Sequence, residues 1–244
     1  MNRLDPQQIA SLITEDVRIN NGLLLLENIL DVAFKLASMS LDEIEVKYGD
    51  ELNRYDNLPV RNKFVQSFSF SLPCKEAITA IKKHAGGNII YDVMAGTGYW
   101  VKIMNDNGIK AVASDTSEGS KQYKLTQSYI DVEKRDARDV VKAVSNKPVN
   151  IFLCWPPYEC RVSHLLLSGL SVGSTLFLVG EGRGGCTGSD EMFDELEKNF
   201  KEVETIELPR WGGINDRLRI FRKVSNDPSM RRSSRKQNAC TGHQ

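Results

Sequence analysis

The sequence is poor in the residues that bind metals or form disulfide frameworks. Its 244 residues include five cysteines and three histidines, and no two cysteines have the CxxC spacing. We therefore expect neither a structural metal site nor a disulfide scaffold. Unpaired cysteines in a chain of this length favour a reducing compartment, the cytoplasm or the nucleus.

The chain also lacks net charge and long apolar segments. Lysine and arginine number 32 and so do aspartate and glutamate, so overall charge does not indicate a nucleic-acid partner. No apolar run reaches the roughly 18 residues of a membrane span, since Glu27 interrupts the run Leu23–Leu26. The early polar residues Asp5, Gln7 and Gln8 are not typical of a signal peptide. We predict no membrane association.

The composition, 41% apolar and 26% charged, is that of a globular protein with additions at its ends. We predict a helical extension or cap over residues 1–71, a main domain over 72–224 and a basic tail over 225–244. In residues 22–39 apolar side chains recur at helical spacing. The extension is predicted to pack on the main domain, with a lid or substrate-selecting surface as the alternative.

The tail has almost no apolar residues, and its composition predicts disorder. Its basic segment Arg231–Lys236 could contact nucleic acid or an acidic partner, although a solvated segment is slightly favoured.

The main domain is organised around residues 88–100. A short apolar strand there ends at Asp92, and a turn of small residues leads into a helical pattern. Gly96 and Gly98 tolerate positive φ and let a ligand approach the backbone. The N–H groups that begin the next helix attract negatively charged groups. This pattern predicts the ligand-binding first turn of a Rossmann-like sheet.

Two further strands are predicted to end in acids. Residues 110–115 end at Asp115, whose carboxylate can accept hydrogen bonds from two vicinal ribose hydroxyls. A third strand near residues 129–134 leads to Asp136 and Ala137. Asp136 could accept from an exocyclic amine while Ala137 leaves room for a flat ring, or Asp136 could cap the next helix.

A fourth strand, residues 149–154, precedes a Trp-Pro-Pro-Tyr segment. The proline pair makes a stiff exit from the sheet. Trp155 and Tyr158 offer flat surfaces for a planar substrate or a methyl-bearing centre, or they belong to a rigid loop with packed aromatics. A fifth strand, residues 174–180, brings Glu181 and Arg183 to the same edge by position alone, and Cys186 is predicted to be a bystander.

The end of the main domain has two strand-like segments, residues 202–208 and 217–222, joined directly. They predict an antiparallel hairpin. Phe68 and Phe70, which alternate with serines before Pro73, are predicted to pack in the interior, with a position over the cofactor as the alternative.

Together these motifs resemble the class I S-adenosylmethionine-dependent methyltransferases over roughly residues 72–223. The resemblance implies an α/β fold with a Rossmann-like, seven-stranded, mostly parallel sheet and the C-terminal hairpin. It also implies S-adenosylmethionine as the cofactor. The cofactor-binding residues that it implies are Asp92, Met94, Ala95, Gly96, Gly98, Asp115, Thr116, Asp136, Ala137 and Cys154. The catalytic candidates beside the methyl group are Trp155, Pro156, Pro157, Tyr158 and Glu159.

The sequence departs from that family at two positions. Met94 replaces the first glycine of the usual loop. Trp155 stands where enzymes that methylate amines have Asp, Asn or Ser, and an indole can donate a hydrogen bond but not accept one. We therefore predict a methyltransferase of undetermined acceptor. An amine-bearing substrate is favoured, with nucleic acid and protein as possible classes, and Glu181 or Glu159 is a candidate base.

Two rival functions are set against this prediction. A non-catalytic binding or partner subunit is favoured by Trp155. A nicotinamide-dependent oxidoreductase is disfavoured, because Tyr99-Trp100 does not supply the third glycine of its loop.

Overall fold

The structure, a computed structural model, describes residues 65, 68–71, 73–116, 128–208 and 214–226. Nearly all of the predicted N-terminal extension, a helix predicted at residues 119–127 and the basic tail from residue 227 lie outside the described residues. Those expectations stay predictions. Within the described ranges, no helix is both long and apolar enough to cross a lipid bilayer.

Helices and strands alternate along most of the described chain. The helices are α1 (Lys75–Ala85), α2 (Tyr99–Asp106), α3 (Ala137–Val144), α4 (Arg161–Gly169) and α5 (Asp190–Asn199). The strands are β1 (Ile90–Asp92), β2 (Ala111–Asp115), β3 (Val132–Lys134), β4 (Asn150–Cys154), β5 (Thr175–Gly180), β6 (Phe200–Glu207) and β7 (Arg217–Lys223).

The strands form one seven-stranded sheet in the order β3-β2-β1-β4-β5-β7-β6. The neighbours β3-β2, β2-β1, β1-β4 and β4-β5 are parallel, whereas β7 runs antiparallel to both β5 and β6. The predicted α/β class, the mostly parallel sheet and the C-terminal hairpin are confirmed. The carboxyl ends of β1, β2 and β4 consequently meet at one edge of the sheet.

Apolar clusters on both faces fix the position of the sheet. Phe152 belongs to the cluster with α1 and α2, while its neighbours Ile151 and Leu153 belong to the cluster with α3, α4 and α5. Alternate residues of β4 thus face opposite layers, and all three have an exposed fraction of zero. A parallel strand that is buried on both faces gives the residues at its end a rigid base.

The two ends of α1 have the residues that are typical of helix termini. Cys74, after Pro73, is the N-cap residue, and Gly86 ends the helix with φ of 59°. A left-handed residue at this position satisfies the last carbonyls of a helix, and glycine adopts it at low cost.

The start of β3 differs from the prediction by three residues, since the strand begins at Val132 rather than near residue 129. The backbone N–H of Tyr129 donates to the carbonyl oxygen of Thr97 at 2.9 Å and so does not enter the strand ladder. Its ring stacks on Phe68 with centroids 5.9 Å apart and lies 5.1 Å from that of Tyr99. Tertiary aromatic packing here takes precedence over the local strand pattern.

Candidate active site

A cavity of about 600 Å³ opens where the carboxyl ends of β1, β2 and β4 meet. This volume lies within the range of known ligand sites, about 300–1,000 Å³. Most of the site residues expected from sequence line it: Asp92, Met94, Ala95, Gly96, Asp115, Thr116, Asp136, Ala137, Cys154, Trp155, Pro156, Pro157 and Tyr158.

The turn after β1 is tied to the end of β2. The backbone N–H of Gly96 donates to Oδ2 of Asp115 at 2.9 Å, and that of Ala95 donates to the carbonyl oxygen of Ser114 at 3.1 Å. Gly96 has φ of 54°, and a Cβ added there would meet nothing within 4 Å. Glycine is therefore required here for its backbone conformation. Because glycine has no side chain, the backbone of the turn is open toward the cavity.

Asp92 is the most deeply buried acid of the cavity, with only 2% of its surface exposed. Burial raises its pKa to about 8, the negative charge of Asp115 adds to that rise, and the hydrogen bond from the backbone N–H of Met94 opposes it. Near neutral pH this carboxyl is therefore largely protonated in the ligand-free protein.

Two expected site residues, Gly98 and Glu159, do not line the cavity among the residues described. Gly98 precedes α2 with φ of 74°, and a Cβ there would lie 2.8 Å from Cγ1 of Ile130. Glycine is therefore needed at position 98, both for the positive φ of the turn and for close packing against Ile130. Glu159 is exposed, has φ of 54° and donates its backbone N–H to the carbonyl oxygen of Gly188 at 3.0 Å.

Asp136 both caps α3 and lines the cavity. Its Oδ1 accepts from the backbone N–H of Arg138 at 2.8 Å, and its Oδ2 lies 2.6 Å from the Arg138 guanidinium. The hydrogen bonds and charge of Arg138 lower the pKa of the Asp136 carboxyl. The capping role, one of two alternatives from sequence, is thus observed, and contact with an adenine amine stays a prediction.

Trp155 has an unusual backbone conformation for a large residue, with φ of 52°. Its backbone N–H donates to the carbonyl oxygen of Val179 at 2.9 Å, and its indole Nε1–H donates to Oδ1 of Asp216 at 2.8 Å. The ring of Phe70 stacks on the indole, with centroids 5.3 Å apart and planes 16° apart. Held in this way, the indole forms an aromatic wall beside Cys154.

The proline pair continues this wall. The glycine-rich loop after β5, residues 181–188, which we call the glycine loop, holds the pair in place. The backbone N–H of Gly188 donates to the carbonyl oxygen of Pro156 at 2.8 Å. Tyr158, at the mouth of the cavity, is 61% exposed. The neighbouring charge of Glu159 raises the pKa of the Tyr158 phenol, so the phenol stays protonated at neutral pH and can donate a hydrogen bond.

Glu181 and Arg183 follow β5 but do not line the cavity among the residues described. Glu181 is 6% exposed, and its carboxylate accepts from the backbone N–H groups of Cys186 at 2.7 Å and Asn215 at 3.0 Å. It therefore joins the glycine loop to the segment before β7. Arg183 instead forms ion pairs with Asp194 at 2.7 Å and with other acids of α5.

The structure brings to the site several residues that the sequence patterns did not assign to it. Phe70 lines the cavity whereas Phe68 is in the core, so the interior packing predicted for both holds for Phe68 alone. Cys186, interpreted as a bystander, also lines the cavity. Asp216 carried no signal at all, because it precedes an antiparallel strand and thus reaches the ligand edge from the opposite direction.

The sheet order and the single antiparallel strand define a Rossmann-like fold, the one that class I methyltransferases share. No protein-family model matches the sequence, and no curated protein sequence matches it either.

Solved structures with a similar chain path include methyltransferases. One is the 1,6-didemethyltoxoflavin-N1-methyltransferase of Burkholderia thailandensis with bound 1,6-didemethyltoxoflavin and S-adenosylhomocysteine, 14% identical, over 62% of this chain and 78% of that chain, with a TM-score of 0.43. Another is the N-methyltransferase NodS of Bradyrhizobium japonicum with S-adenosylhomocysteine, 12% identical, over 62% of this chain and 87% of that one, with a TM-score of 0.39. A further solved structure with a similar chain path is TehB of Haemophilus influenzae, 14% identical, over 67% of this chain and 66% of that chain, with a TM-score of 0.40.

Proposed function

We propose that the domain binds S-adenosylmethionine and transfers its methyl group to an acceptor. The observation that carries the proposal is the pairing of Asp115 with Gly96. A carboxylate at the end of β2 and the glycine turn after β1 are joined by a 2.9 Å hydrogen bond, and both line the cavity. A nucleoside is bound in this way when the acid receives its ribose hydroxyls and the turn lies against the rest of the ligand.

The chemistry of the lining fits this cofactor. Three acids, Asp92, Asp115 and Asp136, line the cavity, and no lysine or arginine among the described residues does. An acidic lining favours a sulfonium cation, which would also promote ionisation of the protonated Asp92, and it disfavours the phosphates of a dinucleotide. When bound, the sulfonium supplies a methyl group that is already activated for transfer.

What the protein must add is chiefly alignment of the acceptor. The stiff segment Pro156-Pro157 and the rings of Trp155 and Tyr158 lie beside Cys154 at the end of β4. Positioning of reactants in such a site can lower a barrier by about 7–11 kcal/mol. An amine-bearing acceptor is the predicted substrate. The Tyr158 phenol could donate a hydrogen bond to a part of it other than the nitrogen whose lone pair attacks the methyl group. Glu181 is not assigned as a base, because its carboxylate already accepts from two backbone N–H groups.

Calorimetric titration with S-adenosylmethionine, S-adenosylhomocysteine and NAD tests the proposal. We expect the first two to bind and NAD not to bind. Asp115→Ala should weaken both by about 10- to 100-fold, since hydrogen bonds to a charged acceptor contribute about 1.5–3 kcal/mol. The matched control is Asp131→Ala, which removes an exposed acid that precedes β3 and is not among the residues that line the cavity. Failure of the folded protein to bind either compound would refute the proposal.

A second variant separates ribose binding from order in the turn. Asp115→Asn keeps an oxygen that can accept from the Gly96 N–H, but its amide nitrogen cannot accept from a hydroxyl. We expect it to fold like the natural protein and still to lose most of the affinity. Full affinity in Asp115→Asn would mean that Asp115 only holds the turn.

A second candidate function is cofactor binding without transfer, as in a partner subunit. Trp155 favours it, because its indole N–H is directed to Asp216 and the ring offers no acceptor to an amine. A methyl-transfer screen over RNA, DNA, protein and small amines distinguishes the two. Cofactor binding with no transfer to any class would support the partner subunit, and transfer to any of them would exclude it.

A further inference from the structure

The two halves of the cavity differ in charge. In the strand order β3-β2-β1-β4, Asp92 and Asp115 are the last residues of β1 and β2, and Asp136 follows β3, so the three acids lie on one side. On the other side, after β4, the described lining residues are uncharged: Ser69, Phe70, Cys154, Trp155, Pro156, Tyr158 and their neighbours. We call this second half, residues 69–70 and 154–158 with Cys186, the acceptor end.

The acceptor end has a mainly aromatic and rigid surface. Phe70 and Trp155 are stacked, Pro156 and Pro157 follow in the chain, and Tyr158 lies at the mouth. Aromatic walls favour planar partners, which stack or meet ring edges at low entropic cost. A charged substrate would lose its hydration here without gaining a described lining residue of opposite charge.

Asp216 determines how this surface is arranged. Its exposed fraction is zero, and its Oδ1 accepts the indole N–H of Trp155 at 2.8 Å. The same indole stacks on Phe70, so this hydrogen bond helps to hold the stacked pair in place. Asp216 does not line the cavity among the described residues. It acts through Trp155 and is therefore a positioning residue.

We propose that the acceptor end binds a small, uncharged, planar aromatic molecule, against the Phe70–Trp155 pair that Asp216 holds in place. This deepens the proposed function by naming the substrate class of the same site. An aromatic amine or an aromatic ring with a basic nitrogen fits both the uncharged surface and methyl transfer. Such a group is uncharged near neutral pH and keeps a lone pair that can attack the methyl group. A substrate bearing phosphate groups is disfavoured by the acids in the other half of the cavity.

Four probes that differ in one property each test the class. Benzyl alcohol has a planar ring and no charge, benzylammonium is an analogue with a positive charge, benzoate is an analogue with a negative charge, and cyclohexylmethanol is the uncharged analogue with a non-planar ring. Binding is measured by ligand-observed saturation-transfer NMR, with and without saturating S-adenosylhomocysteine. We expect benzyl alcohol to bind about 3- to 10-fold more tightly than each of the other three, the range expected for aromatic pair contacts. Equal binding of the four, or preference for either ion, would overturn the inference.

Variants then test the positioning role. Trp155→Leu should abolish the preference for benzyl alcohol over cyclohexylmethanol, and Asp216→Leu should reduce it in parallel. Asp216→Asn should retain it, because an amide oxygen can still accept the indole N–H. The matched control is Asp194→Leu. It removes an acid of α5 that forms an ion pair with Arg183. A general loss of structure would lower binding of both probes together and leave their ratio unchanged.

The outcomes also separate this inference from the proposed function. If S-adenosylhomocysteine binds but the preference for a neutral planar ring is absent, the inference fails and the proposed function stands. If the ring preference depends on Trp155 and Asp216 but S-adenosylhomocysteine does not bind, the stacking site is supported and the proposed function fails.

Discussion

The buried carboxyl of Asp92 should make the stability of the protein depend on pH. Burial raises its pKa in the folded state to about 8, while the unfolded chain has the ordinary value of 3.8. The folded state therefore binds the proton more tightly, and this contribution to stability is full below about pH 4 and is lost as pH rises through about 8. Denaturant unfolding at about pH 5 and pH 9 measures the loss.

Asp92→Asn should remove most of this dependence, because the amide stays uncharged at both values of pH. We expect the variant to gain stability relative to the natural protein at pH 9 and to resemble it more closely at pH 5. Asp131→Asn, a change of an exposed acid, serves as the control. If both proteins lost the same stability between the two values of pH, the Asp92 carboxyl would not be buried as described.

The same carboxyl should distinguish two ligands that differ in charge at sulfur. A sulfonium in the cavity stabilises ionised Asp92, whereas the uncharged sulfur of S-adenosylhomocysteine does not. The affinity for S-adenosylmethionine relative to S-adenosylhomocysteine should therefore increase from about pH 6 to pH 9, by calorimetry. The ratio should be nearly constant in Asp92→Asn. A constant ratio in the natural protein would place the sulfur away from Asp92.

At the scale of single elements, the glycine loop after β5 depends on close backbone packing over Glu181. A Cβ added at Gly185 would lie 2.5 Å from Cβ of Glu181 and 2.9 Å from its Oε2. Gly185→Ala should therefore displace the carboxylate that joins Cys186 to Asn215. We expect a loss of about 1–3 kcal/mol in the free energy of unfolding, the usual cost of overpacking.

Gly182→Ala is the matched control in the same loop. Its added Cβ would meet only Nη1 of Arg219, at 3.9 Å, which is ordinary van der Waals contact. We expect little change in unfolding by denaturant. Equal effects of the two alanines would show that chain flexibility, rather than contact with Glu181, governs the loop.

Sequence patterns identify the elements well where burial and alternation coincide. The run of apolar residues in β4, the acids at the ends of β1 and β2 and the glycine after α1 are all local signals, and the structure has each element there. Boundaries fail where a distant contact decides them. β3 begins late because the N–H of Tyr129 donates to Thr97. The pattern of residues 164–170 predicts a helix from His164, whereas α4 begins three residues earlier, at Arg161.

At the scale of the whole molecule, a buried ion pair fastens the end of β7 to two helices. Lys223 is 1% exposed, and its Nζ donates to the carbonyl oxygen of Leu167 at 2.7 Å and lies 3.4 Å from Oε1 of Glu195. Lys223→Met would leave the Glu195 carboxylate buried without this cation. The expected cost is about 3–5 kcal/mol in the free energy of unfolding.

The double variant Lys223→Met with Glu195→Gln should recover part of this stability, because it removes the uncompensated charge. Lys201→Met, on the exposed side of β6, is the control for the loss of a lysine. The measurement is denaturant unfolding of all four proteins. A double variant no more stable than Lys223→Met alone would mean that the carbonyl contacts, and not the ion pair, account for the effect.

The site shows where sequence reasoning reaches its limit. Residues at the carboxyl ends of parallel strands, such as Asp92, Asp115 and Cys154, follow from a general rule for α/β sheets, and they do line the cavity. Asp216 does not follow from that rule. Asp216 precedes β7, which is antiparallel to the other strands. The amino end of β7 therefore lies at the edge of the sheet where β1 and β4 end. Only the pairing of strands reveals this.

The left-handed backbone at Trp155 has a consequence for how this site could change. A φ of 52° is strained for a bulky residue, whereas asparagine and aspartate adopt such values several-fold more often than other non-glycine residues. The main chain at position 155 is thus already shaped for the side chains that accept from an amine. Replacing Trp155 by asparagine would relieve the backbone and exchange an aromatic wall for a hydrogen-bond acceptor, so the same scaffold could carry a different acceptor chemistry.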